Sequence, residues 1–480
     1  MNYSEKDQKY IWHPFTQMQE WENDDIVVID RARGNYLYDV NGKKYFDGVS
    51  SLWVTLHGHC HPHINRALRR QLKKLDHSTL LGLSNTPAIE LAEKLIELAP
   101  KGLTRVFYSD AGSTAMEIAL KIAYQYWQQD KNKKYKTKQK FLTLSEAYHG
   151  DTIGSVSLGG VAMYHAIYKP LLFKTVQIPT PYRHYGHEPD LKTAADALEK
   201  ALRKHHQELA AFVLEPLVQG AAGIYTAPAG YLAAARRLCT KYNVLLICDE
   251  VAVGFGRTGA MFACEQEKAT PDILAIAKGL TGGYLPLAAT LTMEKIYNNF
   301  KGKFESLRTF YHGHTYTGNP LACRAALASL ELFHKERTLE KVNKNIALLK
   351  EELKKFTTIP QVKQTRQCGM IAALELPDYA YKDKIGYKIC AAARKYGLLI
   401  RPLGNNIVIM PPLSTTPREL KWLLATIYKS IQETVTPQTR YARQLSQPPM
   451  RPTRLRAQRN LRSPAFQRGA KLRTINKQYL

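Results

Sequence analysis

A lysine and an aspartate each follow a short apolar run in the middle part of the chain. Lys278 comes directly after Ile273–Ala277 and before Gly279, while Asp249 follows the run Val244–Cys248. Both runs are typical of buried strands, and a glycine allows a sharp turn after the lysine. A lysine amine can form a Schiff base with an aldehyde, and a carboxylate can keep a pyridine nitrogen protonated. The pair indicates a pyridoxal 5'-phosphate site, although an isolated lysine of this kind is more often a solvated residue after an edge strand.

A phosphate anchor is predicted upstream. The strand-like run Arg105–Tyr108 leads into the small residues Ser109–Thr114, after which apolar residues recur at helical spacing. Such a turn leaves free N–H groups and the positive end of the helix dipole pointing at an anion. Gly112 allows close backbone approach, and the Ser113 hydroxyl can add a bond. Taken alone, any capped helix gives a similar pattern.

Two more apolar runs end in polar or aromatic residues. Lys140–Leu144 precedes Tyr148, whose ring could stack on a planar cofactor, and Ala211–Leu214 ends in Glu215. Five such runs therefore alternate with helical stretches, and each delivers functional side chains just beyond its carboxyl end. That is where an open parallel α/β sheet binds its ligands.

The order of these residues resembles the class III aminotransferases, which belong to the fold type I pyridoxal-phosphate enzymes, over about residues 5–432. The resemblance implies an α/β fold of the PLP-dependent transferase type, with a large domain around a mostly parallel central sheet and a smaller α+β domain. It also implies a homodimer with the active site at the subunit interface. The blocks that carry it are Gly34–Lys43, Tyr148–Asp151, Asp249–Gly259, Pro271–Gly279 and His312–Pro320.

The resemblance implies roles around the cofactor ring. Lys278 is expected to be the Schiff-base lysine and the group that moves protons. Asp249 is expected to pair with the pyridine nitrogen, and Val251 to pack under the ring. Tyr148 is expected to stack on the other face, with Asp151 nearby.

The resemblance also implies contacts to the phosphate and to the substrate. Gly112 and Ser113 are expected to hold the phosphate, helped by Thr315 reaching across from a second subunit. Arg257 and Glu215 are weaker assignments, since either could merely order the site. The expected substrate contacts are Trp53 along an apolar tunnel, Tyr148, Gly313, and Arg401 on a carboxylate.

Within the class, the chain is most similar to the branch that aminates 8-amino-7-oxononanoate to 7,8-diaminononanoate in biotin synthesis. An enzyme for another ω-amino acid is the alternative within the class, and an inactive anion-binding scaffold is the alternative outside it. The intact Lys278 and Asp249 speak against the scaffold. The segments that mark the branch are Trp12–Met18, Ser50–Trp53, His77–Thr79, Ala252 and Arg401–Gly404.

The amino donor stays open between S-adenosylmethionine and L-lysine. Branch members that use S-adenosylmethionine, the default of the family, carry a tyrosine at Phe15, a second tryptophan at Leu52 and an aromatic residue at Leu403. Losing two rings and a hydroxyl weakens a site for a sulfonium and an adenosyl group. A branch that uses lysine resembles this chain at these places, so lysine is a candidate donor.

The chain is expected to have four parts: an N-terminal arm with part of the small domain (1–60), the large cofactor domain (61–330), the C-terminal small domain (331–435) and a basic tail (436–480). The tail holds eleven Lys or Arg and no Asp or Glu, within a net charge of +27. One-signed charge with few apolar residues favours disorder. Such charge could contact nucleic acid, but no RNA-binding motif is present, so an extension without function is favoured.

The remaining composition favours a cytoplasmic enzyme. The chain has no run of 18 apolar residues, its first residues lack a signal-peptide core, and its seven cysteines form no C-x-x-C pair. The segment His57–His63 is dense in metal-ligand types, but no carboxylate or distant Cys/His pair completes a shell. We therefore predict a loop there and no metal.

Overall fold

The computed structural model describes the backbone of residues 1–445 and the side chains of residues 1–435 except Lys133. Residues 446–480, which make up most of the predicted basic tail, lie outside the described residues. The α-helices are Tyr3–Tyr10 (α1), Met18–Trp21 (α2), Ser50–Trp53 (α3), Pro62–Leu72 (α4), Thr86–Leu98 (α5), Gly112–Gln128 (α6), Ile153–Leu158 (α7), Ala162–His165 (α8), Leu191–His205 (α9), Tyr231–Lys241 (α10), Glu294–Asn298 (α11), Pro320–Lys335 (α12), Thr338–Leu353 (α13), Ile385–Lys395 (α14) and Pro417–Leu445 (α15).

The strands form one large sheet and three smaller ones. They are Ile29–Arg33 (β1), Tyr36–Asp39 (β2), Lys44–Asp47 (β3), Leu103–Ser109 (β4), Lys140–Leu144 (β5), Val176–Ile178 (β6), Leu209–Leu214 (β7), Val218–Gln219 (β8), Tyr225–Thr226 (β9), Leu245–Asp249 (β10), Ile273–Ile276 (β11), Ala288–Met293 (β12), Gln364–Cys368 (β13), Ile371–Glu375 (β14), Leu398–Leu399 (β15), Pro402–Leu403 (β16) and Asn406–Ile409 (β17).

The large sheet has seven strands in the order β4-β12-β11-β10-β7-β5-β6. Strands β11, β10, β7, β5 and β6 pair in parallel, and β12 runs antiparallel to both of its neighbours. The five strands predicted from apolar runs are present as β4, β5, β7, β10 and β11, and the mostly parallel α/β fold is confirmed. The carboxyl ends of β10 and β11 are adjacent, since Asp249 is the register partner of Ala275.

Continuous apolar sequence in these strands follows from burial on both faces of the sheet. All residues of β7, β10 and β11 are buried. Helix α6 buries eight side chains along its length, among them Met116, Ile118 and Trp127, and contacts β11 and β12. The strands and this helix are therefore fixed as one body before any ligand is considered.

The smaller sheets join the two ends of the described chain. Strand β15 pairs in parallel with β3, which brings Leu398 beside Phe46, and β13, β14, β17 and β16 form an antiparallel sheet. Residues 1–436 cluster as one compact unit, so the division at residues 60 and 330 stays a prediction. No helix in the described part of the chain combines the length and the apolar character needed to cross a membrane.

The amino end of β11 is held by a buried ion network. Asp272, which is 2% exposed, accepts hydrogen bonds from Arg236 Nη1 at 2.6 Å, Lys295 Nζ at 2.5 Å and the Leu246 amide at 2.9 Å. Burial alone would raise the pKa of Asp272, but the two cations outweigh it and the pKa is lowered. The carboxylate therefore ties β11 to β10 at the end opposite Lys278.

Replacing Asp272 by alanine should lower the unfolding free energy by about 3 kcal/mol, because it strips a buried site of its only anion. Urea unfolding followed by circular dichroism measures this. The stabilisation by Asp272 should be present above the pKa of an unfolded aspartate and lost as the pH falls, since the folded pKa is the lower one.

The control is Asp196→Ala, which removes an exposed pair with Lys192 at 3.5 Å and should change stability by less than about 0.5 kcal/mol. Equal effects of the two substitutions would contradict the role given to Asp272.

Candidate active site

A cavity of about 480 Å³ opens at the carboxyl ends of β10 and β11. It brings together nine of the predicted residues, which come from six separate parts of the sequence. These are Trp53, Gly112, Ser113, Tyr148, Asp151, Glu215, Asp249, Val251 and Lys278.

Lys278 follows β11 and begins a short 3₁₀ turn that ends at Thr281. Its φ of 44° is in the left-handed region, where a non-glycine residue is strained, and such strain is common at functional positions. Its Nζ lies 4.8 Å from the ring centroid of Trp53. Burial lowers the pKa of Lys278, whereas the charges of Asp249 and Glu215 act in the opposite direction. A lowered pKa favours the neutral amine, which is the nucleophilic form.

Asp249 is buried and both of its oxygens are engaged. Oδ1 accepts a hydrogen bond from the Val251 amide at 3.0 Å, and Oδ2 lies 2.7 Å from His149 Nδ1. Burial alone would lower the pKa of His149, but the hydrogen bond and charge of Asp249 outweigh it, and the pKa is raised. The imidazole therefore donates to the carboxylate. His149 lies in the block Tyr148–Asp151, and its bond to Asp249 was not predicted from the sequence.

The first turn of α6 contacts the cavity through Gly112 and Ser113. A Cβ atom at Gly112 would lie 2.5 Å from Val251 Cγ1, and one at Gly150 would lie 2.4 Å from Ser113 Cβ. Glycine at both positions lets three segments converge where the N–H groups of the helix begin. The helix has 17 residues, and its N-terminus is suited to an anion.

Tyr148 forms one wall of the cavity. Its hydroxyl donates to Asp151 Oδ2 at 2.8 Å, and burial raises the pKa of the phenol. Its ring stacks on His165 with centroids 6.1 Å apart and an angle of 11° between the planes. The tyrosine is therefore held by its hydroxyl and from behind, and its ring is fixed beside the cavity.

Glu215 is a buried carboxyl group in the same wall. Its Oε1 accepts from the Tyr148 amide at 3.2 Å and its Oε2 from the Gly220 amide at 2.8 Å. Burial raises its pKa to about 7, while the neighbouring His149 opposes that rise. Glu215 lines the cavity and also orders the loop that carries Tyr148, so it fits both roles considered for it.

Four other predicted residues are not among those that line this cavity. Gly313 lines a second cavity of about 340 Å³, and Thr315 is exposed on the same loop. Arg401 is exposed after β15. Arg257 is buried and donates to two backbone carbonyl groups. The roles of Gly313, Thr315 and Arg401 stay predictions, and the contacts of Arg257 are structural.

The histidines of the segment 57–63 bind separate partners. In the described residues, no group of three or more His, Cys, Asp or Glu side chains is arranged to hold a metal ion. The side-chain pairs are His59 with Asp47 at 2.8 Å, His61 with Glu336 at 2.9 Å, His63 with Glu331 at 2.7 Å, and His57 with Ser329 at 3.2 Å.

Known proteins share both the sequence and the fold. A protein of Geobacter sulfurreducens named adenosylmethionine-8-amino-7-oxononanoate aminotransferase is 48% identical over 443 residues, which cover 90% of this chain and 97% of that protein. The crystal structure of the Methanocaldococcus jannaschii protein of that name is similar, with a TM-score of 0.86, 43% identity and coverage of 90% of this chain and 99% of that one.

An amine transaminase from an uncultivated Pseudomonas species, solved with pyridoxal phosphate bound, is similar at lower identity. Its TM-score is 0.83 and its identity 33%, with coverage of 88% of this chain and 99% of that one. The family profile described as aminotransferase class-III matches residues 17–431. This match spans the strands, the helix N-terminus and the loops that surround Lys278. The chain therefore belongs to the class III aminotransferases.

Proposed function

We propose that this aminotransferase converts 8-amino-7-oxononanoate to 7,8-diaminononanoate, a step of biotin synthesis. The observation that carries the chemistry is the convergence of the Lys278 amine, the Asp249 carboxylate and the N-terminus of α6 on one cavity. The choice of substrate is supported by identity, which is 48% to the relative named for this reaction and 33% to the Pseudomonas amine transaminase. An enzyme for another ω-amino acid is the alternative.

The residues of the cavity fit pyridoxal phosphate. An anion-binding helix end, a buried carboxylate and an amine match its phosphate, its ring nitrogen and its aldehyde, and the space left by Gly112 would be filled by any larger residue. When bound, the cofactor supplies an electron-accepting ring and an aldehyde carbon that carries the amino group between two substrates. Lys278 would bind the aldehyde, and Gly112 and Ser113 the phosphate.

The side chains around the cofactor ring would each have a separate role. Lys278 Nζ is neutral more readily than the amine of an exposed lysine. It would take a proton from one carbon of the substrate and deliver it to a different carbon. Asp249, held by His149, would stabilise a protonated ring nitrogen. Tyr148 would cover one face of the ring, and Val251 would support the other. The buried setting excludes water from the proton transfers.

We assign the keto substrate to the side of the cavity formed by Trp53. The indole supplies apolar surface for the methylene chain. Arg401 would bind the terminal carboxylate, because it is exposed and no ion pair to it is present among the described residues. Burial raises the pKa of Tyr164, whose ring meets that of Tyr148 edge-on, and the charge of Arg401 opposes that rise.

We further propose that the enzyme is a cytoplasmic homodimer. The second cavity is bordered by Gly313 and Leu81, and exposed apolar side chains such as Leu83 and Tyr316 surround it. A second copy would cover this surface and bring Thr315 to the phosphate. Sedimentation equilibrium should give about twice the 54.4 kDa of one chain, and a mass of one chain would contradict the assignment.

The proposed reaction is tested by a product assay. Purified protein with pyridoxal phosphate, 8-amino-7-oxononanoate and each candidate donor should yield 7,8-diaminononanoate, identified by mass spectrometry. Lys278→Ala should lower the rate by at least about a thousandfold, because both the covalent anchor and the proton carrier are lost. Turnover of other ω-amino acids without turnover of 8-amino-7-oxononanoate would favour the alternative.

The surroundings of Phe15 bear on the choice of amino donor. Its ring meets Tyr164 edge-on at 5.5 Å, and Tyr164 meets Tyr148 in the same way at 6.3 Å. Phe15 is therefore linked to the cavity wall through one aromatic ring. Because neither Phe15 nor Leu52 offers the hydroxyl or the second indole suited to S-adenosylmethionine, we propose L-lysine as a donor alongside it.

Restoring those groups should change the preference. The double substitution Phe15→Tyr with Leu52→Trp should raise kcat/KM for S-adenosylmethionine relative to lysine by about tenfold, the size expected of one cation–π contact. Phe173→Tyr, which adds a hydroxyl at a ring packed against Phe141, is the control. An unchanged ratio would mean that these positions do not select the donor.

A further inference from the structure

The segment that carries Trp53 into the cavity is left-handed, although L-amino acids favour a right-handed turn. Helix α3 is a single left-handed turn, with φ values of 52°, 46°, 69° and 74° at Ser50, Ser51, Leu52 and Trp53. None of the four is glycine, and a left-handed turn crowds every Cβ against the following carbonyl group. Two of them are bulky. Strain over four consecutive residues persists only if the surroundings impose it.

A single carboxylate holds the middle of this turn. Asp47, which ends β3 and is 1% exposed, accepts the Ser51 amide on Oδ1 at 2.8 Å and the Ser51 hydroxyl on Oδ2 at 2.7 Å. The same Oδ2 lies 2.8 Å from His59 Nε2. The backbone of His59 is fixed in turn by a two-way hydrogen-bonded bridge to Gly34. His59 thus orients the Asp47 carboxylate, which in turn binds Ser51.

The two ends of the turn are attached to another part of the chain. Ser50 Oγ donates to the Met410 carbonyl at 2.6 Å. Arg257 donates to the Pro411 carbonyl at 2.5 Å and to the Thr55 carbonyl at 3.2 Å. The Arg257 guanidinium therefore joins Thr55, just beyond the turn, to Pro411, which follows the residue that binds the start of the turn. This gives Arg257 a place in the site without contact to substrate.

The turn determines where the indole lies. Trp53 is 8% exposed, and its ring is 4.8 Å from Lys278 Nζ. A Cβ atom at Gly220 would approach Trp53 Cζ3 to 3.3 Å, so the glycine lets the backbone pack closely against the ring. A right-handed turn would point the Cβ of residue 53 elsewhere, while Leu52 would no longer face solvent.

We propose that Asp47 and His59 are positioning residues for substrate binding, because together they hold the left-handed turn that fixes Trp53 against Lys278. The inference rests on the proposed function for its kinetic consequence but not for its structural one. Loss of the Asp47 contacts should release the turn, displace the indole and weaken binding of the apolar substrate chain, with a smaller effect on proton transfer at Lys278.

Near-ultraviolet circular dichroism of the full-length protein tests the structural consequence without substrate. The difference between the native spectrum and that of Trp53→Phe isolates the band of Trp53 among five tryptophans. Asp47→Asn and Ser51→Ala should each remove that band while the far-ultraviolet spectrum stays unchanged. A band that persists in both variants overturns the proposal.

Asp39→Asn is the matched control. Asp39 ends the neighbouring strand β2, is 8% exposed, and accepts hydrogen bonds from the Asn41 and Lys43 amides and the Tyr45 hydroxyl. It holds the hairpin turn between β2 and β3, which does not lead to Trp53, so its replacement should keep the Trp53 band. Loss of the band in this control would also overturn the proposal, since any disturbance of the sheet would then suffice.

Kinetics test the functional consequence. Asp47→Asn should raise KM for the keto substrate about tenfold and change kcat by less than about threefold. In the Trp53→Phe background it should have little further effect, because both substitutions act through one contact. Additive effects would overturn the proposal. If Asp47→Asn does not fold, Ser51→Ala decides, since it removes one hydrogen bond.

The two proposals fail in different ways. Protein that makes no 7,8-diaminononanoate but loses the Trp53 band in Asp47→Asn refutes the proposed function and leaves the positioning role intact. Protein that makes the product with an unchanged band and KM in both Asp47→Asn and Ser51→Ala refutes the positioning role alone.

Discussion

The parallel pairing of β10 with β11 is the constraint on which the site depends. One strand ends in Asp249 and the other is followed by Lys278, and their register places the two carboxyl ends side by side. The pairing is fixed by strands that are buried throughout and by the carboxylate of Asp272 at the opposite end. The Lys278 amine and the Asp249 carboxylate thus inherit their separation from hydrogen bonds of the backbone, which no ligand has to organise.

Burial gives these groups their reactivity, and the surrounding residues limit its cost. Buried charges are expensive unless hydrogen bonds compensate them. His149 donates a hydrogen bond to Asp249. Glu250, the next residue, accepts from the Ala263 and Cys264 amides, and burial raises its pKa to about 7. Glu215 likewise accepts hydrogen bonds from the Tyr148 and Gly220 amides. Backbone N–H groups therefore satisfy the carboxyl groups of Glu215 and Glu250.

Local patterns in the sequence predict the parts of this arrangement that are local. Apolar runs gave β5, β7, β10 and β11, and the residues that follow them gave Lys278, Asp249 and the loop of Tyr148. Strand β12 was not predicted, since its buried threonines interrupt the apolar run and bond to the carbonyl groups of Ala115 and Asp272.

Contacts between distant parts of the chain have no such pattern. His149 and Asp249 are 100 residues apart, and Ser50 and Met410 are 360 apart. Nothing in Ser-Ser-Leu-Trp predicts a left-handed turn, because its hand is imposed by Asp47, Met410 and their neighbours. Arg257 could be assigned to substrate or to structure from the sequence, and its carbonyl partners Pro411 and Thr55 have no pattern in the sequence either.

The antiparallel strand β12 also sets the distance between the N-terminus of α6 and the Lys278 amine. It lies between β4, which leads into the anion-binding helix, and β11, which leads into the lysine. Adjacent strands are about 4.8 Å apart, so the interposed strand separates the phosphate anchor from the amine by roughly 10 Å across the sheet. A ligand held at both points must be long enough to bridge two strand spacings. A ligand that reaches both points gains contacts that a small phosphate or a small aldehyde at one point cannot make.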